Sequence, residues 1–164
     1  MPKKGAVCLS QQKHTTMSNR INIIQLLPEA VKGLVSIEKY LGTTAIPPLH
    51  KELIKMRSSQ INGCAFCIDM HSRDARKLGE TEQRIYLLNA WREVDNLYTD
   101  EERCILAITE EVTLISNKGL TDETYAKAAE LFEPDYIAQL IMAAITINAW
   151  NRIAISTHMQ PAQA

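Results

Sequence analysis

Apolar residues recur three and four positions apart along most of this chain, which is the spacing of amphipathic helices. Prolines stand where several such segments begin and glycines stand just after others end, as is typical of helix boundaries. No segment alternates apolar and polar residues as a half-buried strand does. The pattern predicts an all-α, single-domain bundle of about six to seven helices with short connections. The predicted helices cover residues 28–41, 48–61, 64–78, 81–92, 99–116, 121–132 and 134–157.

The last predicted helix, residues 134–157, carries apolar side chains on more than one face in the segment YIAQLIMAAITINAWNRIAI. A helix that is apolar all round is either central to a core or buried against a second subunit. In a domain of this size we expect part of this helix to contact a second copy of the chain. The sequence therefore predicts a homo-oligomer, and the alternative is a monomer with this helix at its centre.

The first sixteen residues lack the helical pattern. The segment MPKKGAVCLSQQKHTTM contains lysines but no apolar stretch and no convincing cleavage site, so we do not interpret it as a secretory signal. We expect residues 1–16 to be a flexible extension, residues 17–164 to be the folded domain, and Met17 to be an alternative start. Cys8 and His14 lie in the extension, where we expect no role for them in the chemistry.

Composition excludes several classes of partner. The chain has 164 residues, of which 46% are hydrophobic, and a formal net charge of −1. This is enough for one domain with a core. Lysine and arginine are scattered among acidic residues, which disfavours binding to nucleic acid or to an anionic membrane surface. No run of 18 apolar residues occurs, so we expect no transmembrane helix. We predict a cytoplasmic protein.

Two of the four cysteines form a close pair. Cys64 and Cys67 have CxxC spacing, which in a reducing compartment indicates redox chemistry or a metal site. On a helix that starts at residue 64, both thiols and His71 lie on the face that also carries aliphatic residues. Their spacings, i,i+3 and i,i+4, make the side chains neighbours. Asn62 and Gly63 supply the turn that ends the preceding helix.

This arrangement suits a thiol cycle. Cys64 stands in the first turn of the predicted helix, where unpaired N–H groups and the macrodipole favour a thiolate. His71 can accept a proton from Cys67 or stabilise its thiolate. Two thiols at this spacing can close into a disulfide and reopen, which is what a two-electron thiol cycle requires.

A carboxylate precedes the pair. Glu52 borders the apolar stripe of the helix 48–61, whereas Lys51 and Lys55 are predicted to lie on its outer side. A carboxylate beside an inward-facing stripe is unusual and could raise the basicity of His71 and relay its proton. The alternative for Glu52 is a structural salt bridge.

Other reactive residues have simpler interpretations. We expect Cys104 to be a small apolar core residue, and His50 and His158 to be hydrogen-bonded structural residues. Zinc is the chemical competitor, since Cys64, Cys67 and His71 could be joined by His50, Glu52 or Cys104 as a fourth ligand. However, three ligands within two turns of one helix is not the usual finger or ribbon layout, and the chain has no second ligand pair.

The four positions form a recognisable motif. Glu52, Cys64, Cys67 and His71 realise E-x11-C-x2-C-x3-H, and the surrounding segment reads LIKMRSSQINGCAFCIDMHSRDARKLGE. Together with NAWNRIAI near the C-terminus, this resembles the alkylhydroperoxidase D (AhpD)-like family of the carboxymuconolactone decarboxylase superfamily. The resemblance covers Met17 to about Gln160.

The resemblance implies an all-α fold whose subunits form trimers or hexamers. It implies a redox-active disulfide between Cys64 and Cys67, with His71 activating Cys67, Glu52 supporting His71, and no bound cofactor. It also implies a peroxide substrate, a lipoyl-type or other dithiol electron donor, and transfer of electrons to a peroxiredoxin. One position departs: AhpD has a second histidine just before its second cysteine, where this chain has Phe66. We expect Phe66 to point away from the cysteine face.

We therefore expect a thiol-dependent peroxidase or disulfide reductase with an antioxidant role. The helix geometry also permits the reverse order, in which Cys64 attacks from an exposed helix start. A second hypothesis is a lyase like the decarboxylases that name the superfamily, which work by acid–base chemistry without the CxxC pair. A third is a non-catalytic assembly module whose CxxC binds zinc or only packs.

Overall fold

The computed structural model describes residues 20–163. This part of the chain contains eight α-helices, one 3₁₀ segment and no strand, which confirms the predicted all-α class. The helices are α1 (Ile23–Leu26), α2 (Pro28–Gly42), α3 (Pro48–Asn62), α4 (Ala65–Lys77), α5 (Glu82–Leu87), α6 (Asp100–Thr113), α7 (Asp122–Leu131) and α8 (Pro134–Ser156). The 3₁₀ segment, Leu88–Glu93, directly follows α5.

All seven predicted helices are present, with differences at their ends. The four-residue α1 was missed because it is too short to show a period. The predicted helix 81–92 is divided between α5 and the 3₁₀ segment, where Ala90 leaves helical geometry (φ −117°, ψ 23°). The predicted helix 99–116 ends at Thr113. The predicted extension, residues 1–16 with Cys8 and His14, lies outside the described residues, so the domain boundary stays a prediction.

Local sequence signals fix several helix starts. Thr99 and Glu102 form a complete capping box at the start of α6, because each side chain accepts a hydrogen bond from the other residue's backbone N–H. Thr121 caps α7 by accepting from the Thr124 N–H. Prolines occupy the first turn of α2, α3 and α8, where the missing N–H has no cost.

Helix α3 is the central element that positions the site. It packs against α6 and α8 on one side and against α4 on another. The larger core cluster joins α3, α6 and α8 through buried aliphatic side chains such as Ile54, Ile105, Ile108, Leu140 and Ile147. A second cluster places Leu53 and Met56 of α3 against Ala75 of α4 and Leu106 of α6. Because α3 is held on both sides, the side chains that it points toward α4 have fixed positions.

Helix α8 is partly core and partly surface. Its buried side includes Leu140, Ala144 and Ile147, whereas Ile145 and Ile155 remain exposed apolar residues. The helix is thus central to this subunit and also presents apolar surface. The predicted homo-oligomer stays a prediction.

Crossing a bilayer requires a long, apolar helix, and none of the helices between residues 20 and 163 meets both conditions.

Candidate active site

A sharp turn between α3 and α4 places the cysteine pair. Gly63 ends α3 in the left-handed conformation, with φ of 70°. The Cys64 N–H then donates to the Ser59 carbonyl at 2.9 Å, so the chain reverses within two residues. Cys64 is the N-cap of α4, and its Sγ accepts a hydrogen bond from the Cys67 N–H at 3.4 Å. The helix therefore begins one residue later than the sequence predicted, and the Cys64 sulfur itself caps it.

The left-handed turn gives a stability prediction. Gly63→Ala should lower the free energy of unfolding by about 1 kcal/mol, because an L-residue with a Cβ is disfavoured at positive φ. Gly33→Ala is the matched control: Gly33 lies inside α2, a Cβ there would meet no atom within 4 Å, and the variant should gain roughly 0.5–1 kcal/mol. Urea unfolding of both variants checks this. Equal effects at the two positions would contradict it.

The two cysteines are joined in a disulfide, with their Cα atoms 5.4 Å apart. Cys64 is 1% exposed and Cys67 is 2% exposed, and they pack with Ala154 of α8 and with the partly buried Met159. The expectation that Cys64 stands at an exposed helix start is wrong, because α8 covers the turn.

Glu52 and His71 form a buried pair. His71 Nδ1 lies 2.8 Å from Glu52 Oε2, and both side chains are buried between α3 and α4. The sequence placed Glu52 at the border of the apolar stripe, whereas the structure buries it facing α4. When Nδ1 is protonated and donates a hydrogen bond to Glu52, the unprotonated Nε2 can accept a second proton. The pair therefore has the geometry of an imidazole base oriented by a carboxylate.

Cys67 and His71 face one cavity of about 390 Å³. Its walls are mainly apolar and are supplied by Ile24, Phe66, Met70, Ile147, Trp150 and Met159. Cys64 does not line it, so the structure makes Cys67 the sulfur that faces the cavity. Phe66 was predicted to point away from the cysteine face, and this is wrong, because its ring shares the cavity with Cys67.

Sequence reasoning missed a charged group at this cavity. Lys55 lines the cavity, although its position on the helical wheel placed it outside. Its Nζ lies 3.5 Å from Glu52 Oε1 and 3.7 Å from Glu38 Oε2. The i,i+3 spacing of Glu52 and Lys55 was a usable signal for the first pair. Glu38 belongs to α2 and carries no such signal.

A buried amide network holds α8 against the turn. The Asn62 side-chain amide donates to Asn148 Oδ1 at 2.9 Å and to Asn151 Oδ1 at 2.8 Å. Asn151 in turn donates to Ser59 Oγ at 3.0 Å, and Asn148 donates to Thr113 Oγ1 at 2.9 Å. These hydrogen bonds connect α6 and α8 to the last turn of α3, which directly precedes Cys64 in the sequence. The asparagines of the segment NAWNRIAI thus position the cysteine turn, which the sequence did not reveal.

The remaining reactive side chains lie elsewhere. Cys104 is a buried, unbridged core residue as predicted, and burial raises the pKa of its thiol, an effect that Lys127 partly offsets. His50 has a buried Nδ1 without a hydrogen-bond partner in residues 20–163, and burial lowers its pKa. His158 is exposed at φ of 56°, just beyond α8. Neither histidine is the hydrogen-bonded core residue that the sequence predicted.

Asp74 lies beside the Glu52–His71 pair. Atoms of Glu52, His71 and Asp74 lie within 4.8 Å of one another. Glu52 and His71 are joined by the 2.8 Å hydrogen bond, whereas the Asp74 carboxylate accepts a hydrogen bond from Lys77 Nζ at 2.7 Å.

The fold and the site together define an all-α protein with a buried CxxC disulfide, a histidine–carboxylate pair and an apolar cavity. The model of the carboxymuconolactone decarboxylase family matches residues 28–111, and this range contains all four motif residues. The chain belongs to the carboxymuconolactone decarboxylase family.

Several known proteins are similar to this chain. The uncharacterised protein YdfG of Bacillus subtilis is 46% identical over 140 residues, which cover 85% of this chain and 95% of that protein. The crystal structure of ATU0492 from Agrobacterium tumefaciens has a TM-score of 0.85 and 37% identity, and covers 90% of this chain and all of its own. That protein has unknown function and has been suggested to be an antioxidant defence protein AhpD.

The debrominase Bmp8 has the same fold, with a TM-score of 0.74, 18% identity, and coverage of 85% of this chain and 74% of its own. At this identity the likeness concerns the fold alone. The resemblance read from the E-x11-C-x2-C-x3-H motif is confirmed for the family and for the AhpD-like fold.

Proposed function

We propose that this protein is a thiol-dependent peroxidase that cycles Cys64 and Cys67 between dithiol and disulfide. One observation carries the proposal: Cys67, bridged to Cys64, faces the same cavity as His71, and His71 is paired with Glu52. A nucleophile and an oriented base thus lie beside a space that admits a substrate, and the resolving cysteine is bonded to that nucleophile.

The oxidative half of the cycle begins with the reduced pair. His71 takes the proton of the Cys67 thiol, and the thiolate attacks an oxygen of the hydroperoxide. The O–O bond breaks, Cys67 becomes a sulfenic acid, and the alcohol leaves with the proton from His71. Cys64 then attacks the Cys67 sulfur and water leaves. One hydroperoxide and two thiols give one alcohol, one water and the disulfide, a two-electron exchange.

The reductive half needs an external dithiol, such as a lipoyl group. A donor thiolate attacks Cys67, because Cys67 is the sulfur that faces the cavity, and Cys64 leaves as a thiolate. The Cys67 N–H and the start of α4 stabilise that leaving group. The second donor thiol then displaces Cys67, which releases the oxidised donor. The reduced pair can also serve a disulfide reductase: the Cys67 thiolate attacks the disulfide of a peroxiredoxin, Cys64 resolves the mixed disulfide, and the peroxiredoxin leaves as a dithiol.

The cavity favours an organic substrate. The cavity is larger than a hydrogen peroxide molecule requires. An alkyl or aryl group buried against its apolar walls would be stabilised by the hydrophobic effect. We therefore propose that the substrate is a hydroperoxide with an apolar substituent.

A thiol titration tests the proposal. Purified, reduced protein is titrated before and after one equivalent of an organic hydroperoxide with an apolar substituent, cumene hydroperoxide, with zinc assayed on the same sample and the bridge located by peptide mass spectrometry. We expect the Cys64 and Cys67 thiols to be lost, dithiothreitol to restore them, and Cys104→Ser to behave as wild type. Stoichiometric zinc in the reduced protein would overturn the proposal in favour of the zinc-binding module. A zinc-free pair that stays reduced would overturn it in favour of a module whose cysteines only pack.

A further inference from the structure

Lys55 is a cation on the wall of the cavity that holds Cys67 and His71. Its side chain is 20% exposed and lies between two carboxylates, Glu38 of α2 (30% exposed) and Glu52 of α3 (10% exposed). Most lysines of a domain extend into water. This one is held inward beside the group that orients His71, and the cycle described above gives it no task.

We propose that Lys55 is a positioning residue: held by Glu38, its ammonium fixes Glu52 against His71 and sets the pH range in which Cys67 is a thiolate. The inference rests on the proposed function and deepens it, because it assigns control of the same thiol.

The first step is geometric. Glu52 uses Oε2 for His71 and Oε1 for Lys55, so its carboxylate bridges two partners on different helices. A carboxylate held at both oxygens cannot rotate away from the imidazole. Glu38 reaches Lys55 from α2 and keeps the ammonium on this side of α3. The contacts therefore form a chain from α2 through α3 to His71 on α4.

The second step is electrostatic. A positive charge beside a thiol favours the thiolate, so the Lys55 ammonium, on the wall of the cavity that Cys67 faces, extends the thiolate form of Cys67 to lower pH. In this low-dielectric setting the effect is larger than in water. The ionisable groups around Lys55 belong to α2, α3 and α4, and the apolar residues Ile147 and Trp150 face the same cavity from α8. The ionisable groups are Glu38, Lys51, Glu52, Cys67, His71 and Asp74.

The pH dependence of Cys67 alkylation tests this directly. The full chain is reduced, treated with iodoacetamide across pH, and the rate at Cys67 is followed by peptide mass spectrometry. Lys55→Met removes the charge and keeps an unbranched side chain. We expect its alkylation midpoint to lie about 0.5 to 1 pH unit above that of wild type. Lys55→Arg should restore the wild-type midpoint.

Two further variants keep the test decisive. Lys39→Met removes the same charge from an exposed position on α2 and should leave the midpoint unchanged. Glu38→Gln removes the negative charge but keeps a side-chain oxygen that accepts from the Lys55 ammonium, so Lys55 stays in place and the midpoint should move to lower pH. This variant carries the test if Lys55→Met does not fold. Opposite shifts for opposite charges cannot come from a general loosening of the site.

The proposal is overturned if Lys55→Met and Lys55→Arg give the same midpoint, or if Glu38→Gln does not move it to lower pH. Alkylation requires no peroxide, so the outcome is independent of the thiol titration above. Shifted midpoints in a protein whose pair ignores peroxide would support the role of Lys55 and reject the peroxidase function. Unshifted midpoints in a protein that cycles would do the reverse.

Discussion

Cys67→Ser should reduce peroxide-driven oxidation to background, a loss of about a thousandfold or more, the scale expected when a nucleophile is removed. Cys67 is the sulfur that faces the cavity, and a serine hydroxyl does not form a sulfenic acid or a disulfide. The measurement is the initial rate of organic hydroperoxide consumption with an excess of dithiol donor.

Cys64→Ser is the informative partner of this variant. It should still oxidise Cys67 once, but without a resolving thiol the sulfenic acid persists, and dimedone should trap it. If the dimedone adduct forms instead on Cys64 in the Cys67→Ser protein, the order of attack is reversed. If lyase activity is found and survives Cys67→Ser, the decarboxylase-like hypothesis replaces the peroxidase.

His71→Asn should lower the rate of Cys67 oxidation at neutral pH by about 10²- to 10⁴-fold, the usual contribution of a positioned general base. The structure places this imidazole beside Cys67 at the cavity and pairs it with a carboxylate. Rates should recover as the pH rises, because hydroxide then removes the thiol proton directly. Stopped-flow oxidation of the reduced variant across pH measures both effects.

Glu52→Gln should have a smaller effect of the same kind. A hydrogen bond to a charged group contributes about 1.5–3 kcal/mol, which corresponds to about a 10- to 150-fold change in rate. His158→Asn is the matched control, since His158 is exposed at a left-handed position that asparagine tolerates. Equal losses in His71→Asn and His158→Asn, or a Glu52→Gln protein as fast as wild type, would contradict the assigned roles.

Much of the fold could be predicted because helix starts are local events. The capping box of Thr99 and Glu102 and the first-turn prolines of α2, α3 and α8 are short-range signals, and the structure uses all of them. The helix after Thr81 was predicted to be continuous, yet it bends at Ala90. Tertiary packing buries Leu88 and Trp91 on the inner side there, and an isolated segment gives no sign of that constraint.

The contacts within the site were likewise predictable where they lie within one helix and not where they join different helices. The spacing of Cys64, Cys67 and His71 on one helix specified their proximity, because residues three and four apart share a face. Glu52 lies on another helix, so its pairing with His71 could only be suspected. Lys55 was misplaced since a helical wheel describes one helix and not the groove between three.

The sequence by itself determined the all-α class, the helix boundaries to within a few residues, the family and the four motif residues. Each depends on the spacing of residues close together in the sequence, which does not depend on how the helices pack. The tertiary structure alone decided that Cys67 and not Cys64 faces the cavity, that Glu52 is buried against His71, and that Lys55 joins them. Those facts depend on how α2, α3, α4 and α8 pack together, and packing is a property of the assembled core and of no single segment.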